Sequence, residues 1–212
     1  MNFSRLQISV FLGIAVGAWA VVLLVRGTTL SFDHLAPFST VVGVLAIGAL
    51  AMEKLLWRQS WLHGWFVQRP DLRGTWKVQL QSDWIHPETK TQIDQIICYM
   101  GVEQTLSNLQ MHLMTPESES WFVAHSVRPS PSENGYQIVG VYTNKPHVHL
   151  RSATSAMHLG AVIIDTHGDS ALRPSSLTGE YWTDRKTTGR MTFTNRCETV
   201  YTQFSKAKQH VR

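Results

Sequence analysis

The sequence predicts a two-helix transmembrane hairpin at the amino terminus followed by an all-β domain, a compact eight-stranded antiparallel up-and-down β-barrel. Three observations carry this expectation. Two long uncharged apolar runs lie within the first quarter of the 212 residues. From about Leu72 the hydrophobic period changes to two. Turn residues then recur at even spacing, with no helical period between them. The chain divides accordingly into a hairpin with its flanking segment at 1–71, a β-domain at 72–204 and a polar tail at 205–212.

The first run, Gln7 to Val25, holds no charge in 19 residues, close to the ~20 that a helix rising 1.5 Å per residue needs to cross the hydrocarbon. It is longer than the apolar part of a secretory signal and ends at Arg26 rather than at a cleavage site. The second run, Leu35 to Met52, follows a connector too short for anything but a turn between antiparallel helices. Gly13 and Gly17, and Ser39 with Gly43, have the small-residue spacing that lets membrane helices approach closely. After the second run Trp57, Trp61 and Trp65 recur every fourth residue. The spacing predicts a juxtamembrane aromatic and basic helix with its indoles at the headgroup level.

Charge is informative through its placement. The chain has 19 Lys and Arg against 15 Asp and Glu. Residues 1–73 carry six basic and three acidic groups, and 74–212 thirteen and twelve. The excess therefore flanks the apolar runs, which suits an anionic lipid surface and speaks against a DNA or RNA polymer as partner. Basic residues beside the outer ends of both runs place both termini, and with them the β-domain, on the cytoplasmic side of the membrane. Cys98 and Cys197 are too few and too far apart for a disulfide framework and fit a reducing compartment.

Strands are expected at Thr75–Leu80, Ile96–Gln104, Leu109–Thr115, Trp121–Arg128, Tyr136–Asn144, Ala156–Thr166, Leu177–Asp184 and Gly189–Cys197, where apolar and polar side chains alternate. Between them stand Pro116, Pro129, Pro131, Asn134-Gly135, Asn144-Lys-Pro146, Gly168-Asp169 and Arg173-Pro174, residues with the backbone preferences of turns. Eight strands is the size at which a closed barrel is filled by side chains or holds one small ligand.

Ten histidines raise the question of a metal site. His147 and His149 are close, but no third ligand accompanies them, and the rest are scattered; no metal is expected. There is no glycine-rich phosphate loop, no nucleophile elbow and no paired-carboxylate signature, so no catalytic residue and no cofactor is assigned. The richer segment is Gly179–Phe193, a hairpin with Arg185, Lys186 and two threonines at its tip. Alternation puts Tyr181, Thr183 and Arg185 on one face. A guanidinium suits phosphate oxygens, hydroxyls add donors and an aromatic ring stacks on a base. Tyr142 and Asn144 end a second strand at a turn, and Ser118 and Ser120 begin another; they would line the mouth of a barrel if these strand ends converge.

In this order, with Leu72-Arg-Gly-Thr-Trp76, Ser118-Glu-Ser120, Tyr142-Thr-Asn-Lys-Pro146, His158-Leu-Gly160 and Leu177–Gly189 behind two apolar spans, the chain resembles the two-transmembrane, β-strand-rich effectors of bacterial cyclic-oligonucleotide anti-phage signalling (CBASS), which are found with cGAS/DncV-like nucleotidyltransferases. The resemblance implies a β-barrel that binds a cyclic dinucleotide made by the partner enzyme. It further implies a multi-pass protein of the bacterial inner membrane that oligomerises on binding and disrupts that membrane, killing or arresting the infected cell. Carried onto this chain, the ligand site comprises Tyr142, Tyr181, Thr183 and Arg185, with Asn144 and Ser120. The competing expectation is a membrane-tethered lipocalin-like carrier or scaffold holding an apolar ligand.

Overall fold

The structure, a computed structural model, describes residues 5–27, 32–63, 65–86, 88–131, 135–148 and 157–211. It forms two compact units, residues 1–57 with 105–108, and residues 58–104 with 109–212.

In the first unit α1 (Arg5–Val25) begins two residues before the first apolar run and ends with it, and α2 (Phe32–Lys54) extends the second slightly at both ends. Many of their side chains, Ser39 included, lie outside the described residues; so does the pairing of Ser39 with Gly43. Among the described residues no helix is long and apolar enough to cross a membrane. Among the described residues, a Cβ added at Gly13, Gly17 or Gly43 would meet nothing within 4 Å. At the end of α2 the Glu53 carboxylate accepts hydrogen bonds from the hydroxyls of Thr105 and Ser107 at 2.5 and 2.6 Å and from the Ser107 N–H at 3.2 Å.

Beyond Lys54 the expected continuous helix is replaced by two short 3₁₀ turns, Leu56–Arg58 and Ser60–Leu62, separated by extended Gln59. The four-residue tryptophan spacing therefore does not make one helical face. Trp57 is fully buried, whereas Trp61 and Trp65 are mostly exposed. The Trp65 indole N–H is held by the Trp61 carbonyl at 2.7 Å.

The second unit is a closed meander of eight antiparallel strands: β1 (Gly74–Ser82), β2 (Ile96–Gln104), β3 (Leu109–Met114), β4 (Ser118–Pro129), β5 (Tyr136–Pro146), β6 (His158–His167), β7 (Ser176–Thr183) and β8 (Thr188–Cys197). Each pairs with its sequence neighbours, and β1 closes the ring on β8 from Thr75↔Cys197 to Ser82↔Gly189. Closure removes the exposed edges that an open sheet would leave. Bulges at Thr75/Lys77 and Phe122/Ala124 add the local bend that a small barrel requires.

Inward side chains fill the half of the barrel nearest the start of β1. Leu72, Trp76, Val78, Val102, Leu109, Ile138, Leu177 and Phe193 are all essentially without solvent exposure. The Trp76 indole N–H is held by the Leu72 carbonyl at 2.9 Å. Under this plug lies a charged clasp. Asp71, 1% exposed, receives a two-point bond from Arg73 at 2.9 and 2.7 Å and a third from Arg196 at 3.3 Å. Arg196 also reaches the carbonyls of Arg73 and Asp71 and lies over the Trp76 ring.

The segment 205–212, expected as a polar tail, is instead mostly a helix, α3 (Phe204–His210), seated on the outer face of β2 and β3. Ala207 and Val211 are buried against Tyr99 and Met114, and Phe204 meets Tyr99 edge-on at 5.5 Å. The apolar positions Phe204, Ala207 and Val211 fall at helical spacing, which supplies the physical reason.

Candidate functional site

In an up-and-down barrel the ends of odd strands and the starts of even strands share one rim. Ser82, Pro146 and Thr183 close β1, β5 and β7, with Asn144 two residues before the end of β5, while Ile96, Ser118, His158 and Thr188 open β2, β4, β6 and β8. This rim lies opposite the one where the chain enters β1. Below it the interior is open, with a cavity of about 600 Å³, within the usual range for small-molecule sites.

All six residues singled out from sequence line this cavity: Ser120, Tyr142, Asn144, Tyr181, Thr183 and Arg185. Register explains the convergence. Tyr142 pairs across Gly160 to Thr183 in one row, and Val162, Tyr181 and Gly189 form the next. Glycine at 160 and 189 is required by close approach. A Cβ at Gly189 would stand 2.6 Å from Cε1 of Tyr181, and one at Gly160 would collide with the Tyr142 ring.

The polar groups are held by one another. Asn144 donates from Nδ2 to the Ser118 and Ser120 hydroxyls at 3.0 and 2.9 Å. With both amide hydrogens so used, its carbonyl oxygen is the group left to accept. The turn after β7 is closed by the Thr183 N–H on the Thr187 carbonyl at 3.0 Å, and the two threonine hydroxyls lie 2.7 Å apart. Asp184 ties this turn to β6 in both directions. Its N–H donates to the Leu159 carbonyl at 3.0 Å, and its carboxylate accepts the Leu159 N–H at 3.2 Å. Arg185 is thus carried on an anchored turn, with Lys186 beside it at φ +60°.

Burial raises the pKa of both tyrosines, with the neighbouring Tyr181 and Asp184 adding to the effect at Tyr142 and Asp83 at Tyr181; a hydrogen bond with Ser82 opposes it at Tyr181. Both hydroxyls therefore remain protonated donors at neutral pH. Deeper in, Leu80, Met100, Met111, Val162, Ile164 and Met191 give the cavity an apolar floor. The result is a concave surface with flat aromatic and apolar walls below and donors with a cation above.

Several lining residues escaped the sequence reading. Trp84 and Ile93 come from the β1–β2 connection, which folds onto the rim through Gln92 Nε2 on the Ser82 carbonyl at 2.8 Å and Gln81 Nε2 on the Ile93 carbonyl at 2.9 Å. Trp121, Phe122, His158 and Thr187 complete the mouth. The shared-rim rule would have found the strand-end residues; the fold of residues 83–95 leaves no periodic signal. Among the described residues no cluster of three or more His, Cys, Asp or Glu is placed to hold a metal ion. Neither cysteine is in a disulfide: Cys98 is buried, its thiol pKa pushed up to about 12 by desolvation, and Cys197 is half-buried.

Residues 67–195, more than half of the chain, match the family model described as Cap15, cyclic dinucleotide receptor domain. The matched stretch includes Asp71 and Arg73, β1 to β7 and β8 as far as Asn195, and with them every residue named at the mouth. No curated protein matches the chain.

Proposed function

Because the chain belongs to the Cap15 cyclic dinucleotide receptor family of CBASS effectors, we propose that it is a membrane-anchored antiviral effector whose cytosolic barrel binds a cyclic dinucleotide at the mouth, without transforming it. Binding drives oligomerisation and disruption of the bacterial inner membrane, which kills or arrests the infected cell. The observation that supports this most is the convergence of Tyr142, Asn144, Tyr181, Thr183 and Arg185 on one cavity of about 600 Å³ within the family's matched region.

The chemistry of the ligand fits the division of the cavity. A cyclic dinucleotide presents two flat bases and two phosphodiester anions. The bases enter the aromatic and apolar part, where stacking contributes about 1–3 kcal/mol per base. The phosphates stay at the rim, with the Arg185 guanidinium and the one hydroxyl hydrogen that the Thr183–Thr187 pair leaves over as donors. The Asn144 carbonyl oxygen, fixed by the two serines, accepts from a base or ribose hydrogen. The signal comes from a cGAS/DncV-like nucleotidyltransferase.

Support for the anchor is the 19 uncharged residues from Gln7 to Val25 within an α1 of 21 residues, followed by α2 of 23. At 1.5 Å per residue such helices measure about 31–35 Å, comparable in length with a bilayer core of ~30 Å, while the described residues of neither helix reach the apolarity of a span. To act, the ligand must bind the assembled form more tightly than the resting one, since equal affinity shifts nothing.

Reconstitution of the full chain into dye-loaded vesicles of phosphatidylethanolamine and phosphatidylglycerol tests this reading. One member of a panel of cyclic dinucleotides should release dye, and Arg185→Ala should raise the concentration required at least tenfold. A nucleotide that binds the chain yet leaves the vesicles intact would contradict the membrane role.

The apolar floor favours a second reading, a lipocalin-like carrier tethered to the membrane. Binding of a long-chain fatty acid, with no response to any nucleotide, would put that reading first.

A further inference from the structure

Five aromatic side chains line the mouth cavity: Trp84, Trp121, Phe122, Tyr142 and Tyr181. Four of them stand on strands and are already engaged. The Tyr142 and Tyr181 rings cross over Gly160 and Gly189, and the Phe122 ring lies against Gly140. Trp121 stacks on His112, with ring centroids 4.8 Å apart and planes 9° from parallel. Trp84 differs. It stands on the β1–β2 connection, is half-buried, and among the described ring contacts meets His86 at 5.5 Å with the planes 82° apart. Such an edge contact leaves at least one face of the indole for a ligand.

The connection is fixed on both sides of this residue. Asp83 donates its N–H to the Thr188 carbonyl at 2.9 Å and accepts the Thr188 hydroxyl at 2.8 Å. The Trp84 N–H donates to the Ser82 hydroxyl oxygen at 3.2 Å. Ile85 bridges to Gln92 across the connection, and the His86 N–H closes the turn beyond on the Thr91 carbonyl at 2.9 Å. Ser82 is also the partner of the Tyr181 hydroxyl, so the indole and the phenol flank one stretch of the rim. An aromatic side chain anchored in this way loses little freedom when a ligand arrives.

We propose that Trp84 stacks on one of the two bases of the ligand and that this base is a purine. The proposal rests on the receptor reading above and names the residue that selects within its ligand class. A stacked base is recognised through its π-face, so preference follows the strength of stacking. The two fused rings of an indole overlap the two fused rings of a purine more fully than the single ring of a pyrimidine. Arg185, Thr183 and Thr187 line the same cavity, so a phosphate held by them keeps its base within the space that Trp84 borders. Loss of one stacked base lowers affinity about 5- to 150-fold.

Calorimetric titration of the full chain in detergent with cyclic di-AMP, cyclic di-GMP, cyclic UMP-AMP and cyclic di-UMP tests this. The parent should bind its best purine-containing member at least about fivefold more tightly than cyclic di-UMP. Trp84→Leu keeps apolar bulk and removes the π-face. It should weaken that member at least about fivefold and cyclic di-UMP less. Trp84→Phe should recover most of the loss, and both variants without ligand should melt with the parent. Gln92→Ala loosens the connection from a position outside the cavity lining and should cause a smaller loss of the same selectivity; if Trp84→Leu melts below the parent, this variant decides. Affinity unchanged in Trp84→Leu, equal losses in Trp84→Leu and Trp84→Phe, or a parent that prefers cyclic di-UMP would overturn the proposal. No binding of any member by the parent sinks the receptor reading, whereas nucleotide binding that ignores every Trp84 substitution sinks this proposal alone.

Discussion

Asp71 shows how one side chain can hold the barrel closed. Burial alone would raise its pKa, but the Arg73 hydrogen bonds and charge, with Arg196, outweigh that and hold it below the ordinary carboxylate range. A carboxylate depressed in the folded state contributes stability above its unfolded pKa of about 3.9 and loses it as pH falls through the folded value. The melting temperature should therefore drop on acidification below about pH 4, and Asp71→Asn should lack that part of the acid limb. The same variant should cost on the order of 2–4 kcal/mol at neutral pH in chemical denaturation, somewhat under a fully buried pair because both arginines retain partial solvent contact. At the mouth, Gly160→Ala adds a methyl group where the Tyr142 ring lies. It should cost about 1–3 kcal/mol, the range for overpacking, and reduce nucleotide affinity by displacing the ring into the cavity.

At the scale of elements, α3 stands on three apolar contacts. Ala207→Asp places a carboxylate against Tyr99 and Met114, so it should destabilise the barrel by about 1–3 kcal/mol, as burial of an unpaired polar group does, with the nucleotide site on the far side of the wall unchanged. All eight strands were legible because alternation and turn chemistry agree along the whole β-domain; the observed ends of β2 coincide with the expected ones, and most others move by a few residues. Helix α3 was also written in the sequence, at Phe204, Ala207 and Val211, but seven residues give too few repeats to stand out among Gln, Lys and His. The Trp57, Trp61 and Trp65 spacing misled for the opposite reason. Periodicity records what a helix would present, and extended Gln59 ends the helical path between the first two indoles. Of the site, the strand-borne residues Ser120, Tyr142, Asn144, Tyr181 and Thr183 could be read in advance, since alternation fixes their face and the shared rim brings them together. Trp84 could not, because its place at the mouth depends on side-chain to main-chain bonds from Gln81 and Gln92.

For the whole molecule, the closed sheet separates two tasks along its axis. The half beside the start of β1 is packed solid and carries the Asp71 clasp; the half below the far rim is open and holds the polar mouth. A rigid plug under a preformed cavity lowers the ordering cost that a flexible site would bear on binding. The central claim is that this mouth receives a cyclic dinucleotide, and calorimetric titration of the full chain in detergent with a cyclic dinucleotide panel tests it most directly. One ligand should bind with one site per chain, and Arg185→Ala should weaken it at least tenfold while the unliganded variant melts with the parent. Absence of binding by every member of the panel, or affinity unchanged in both Arg185→Ala and Gly160→Ala, would contradict the account.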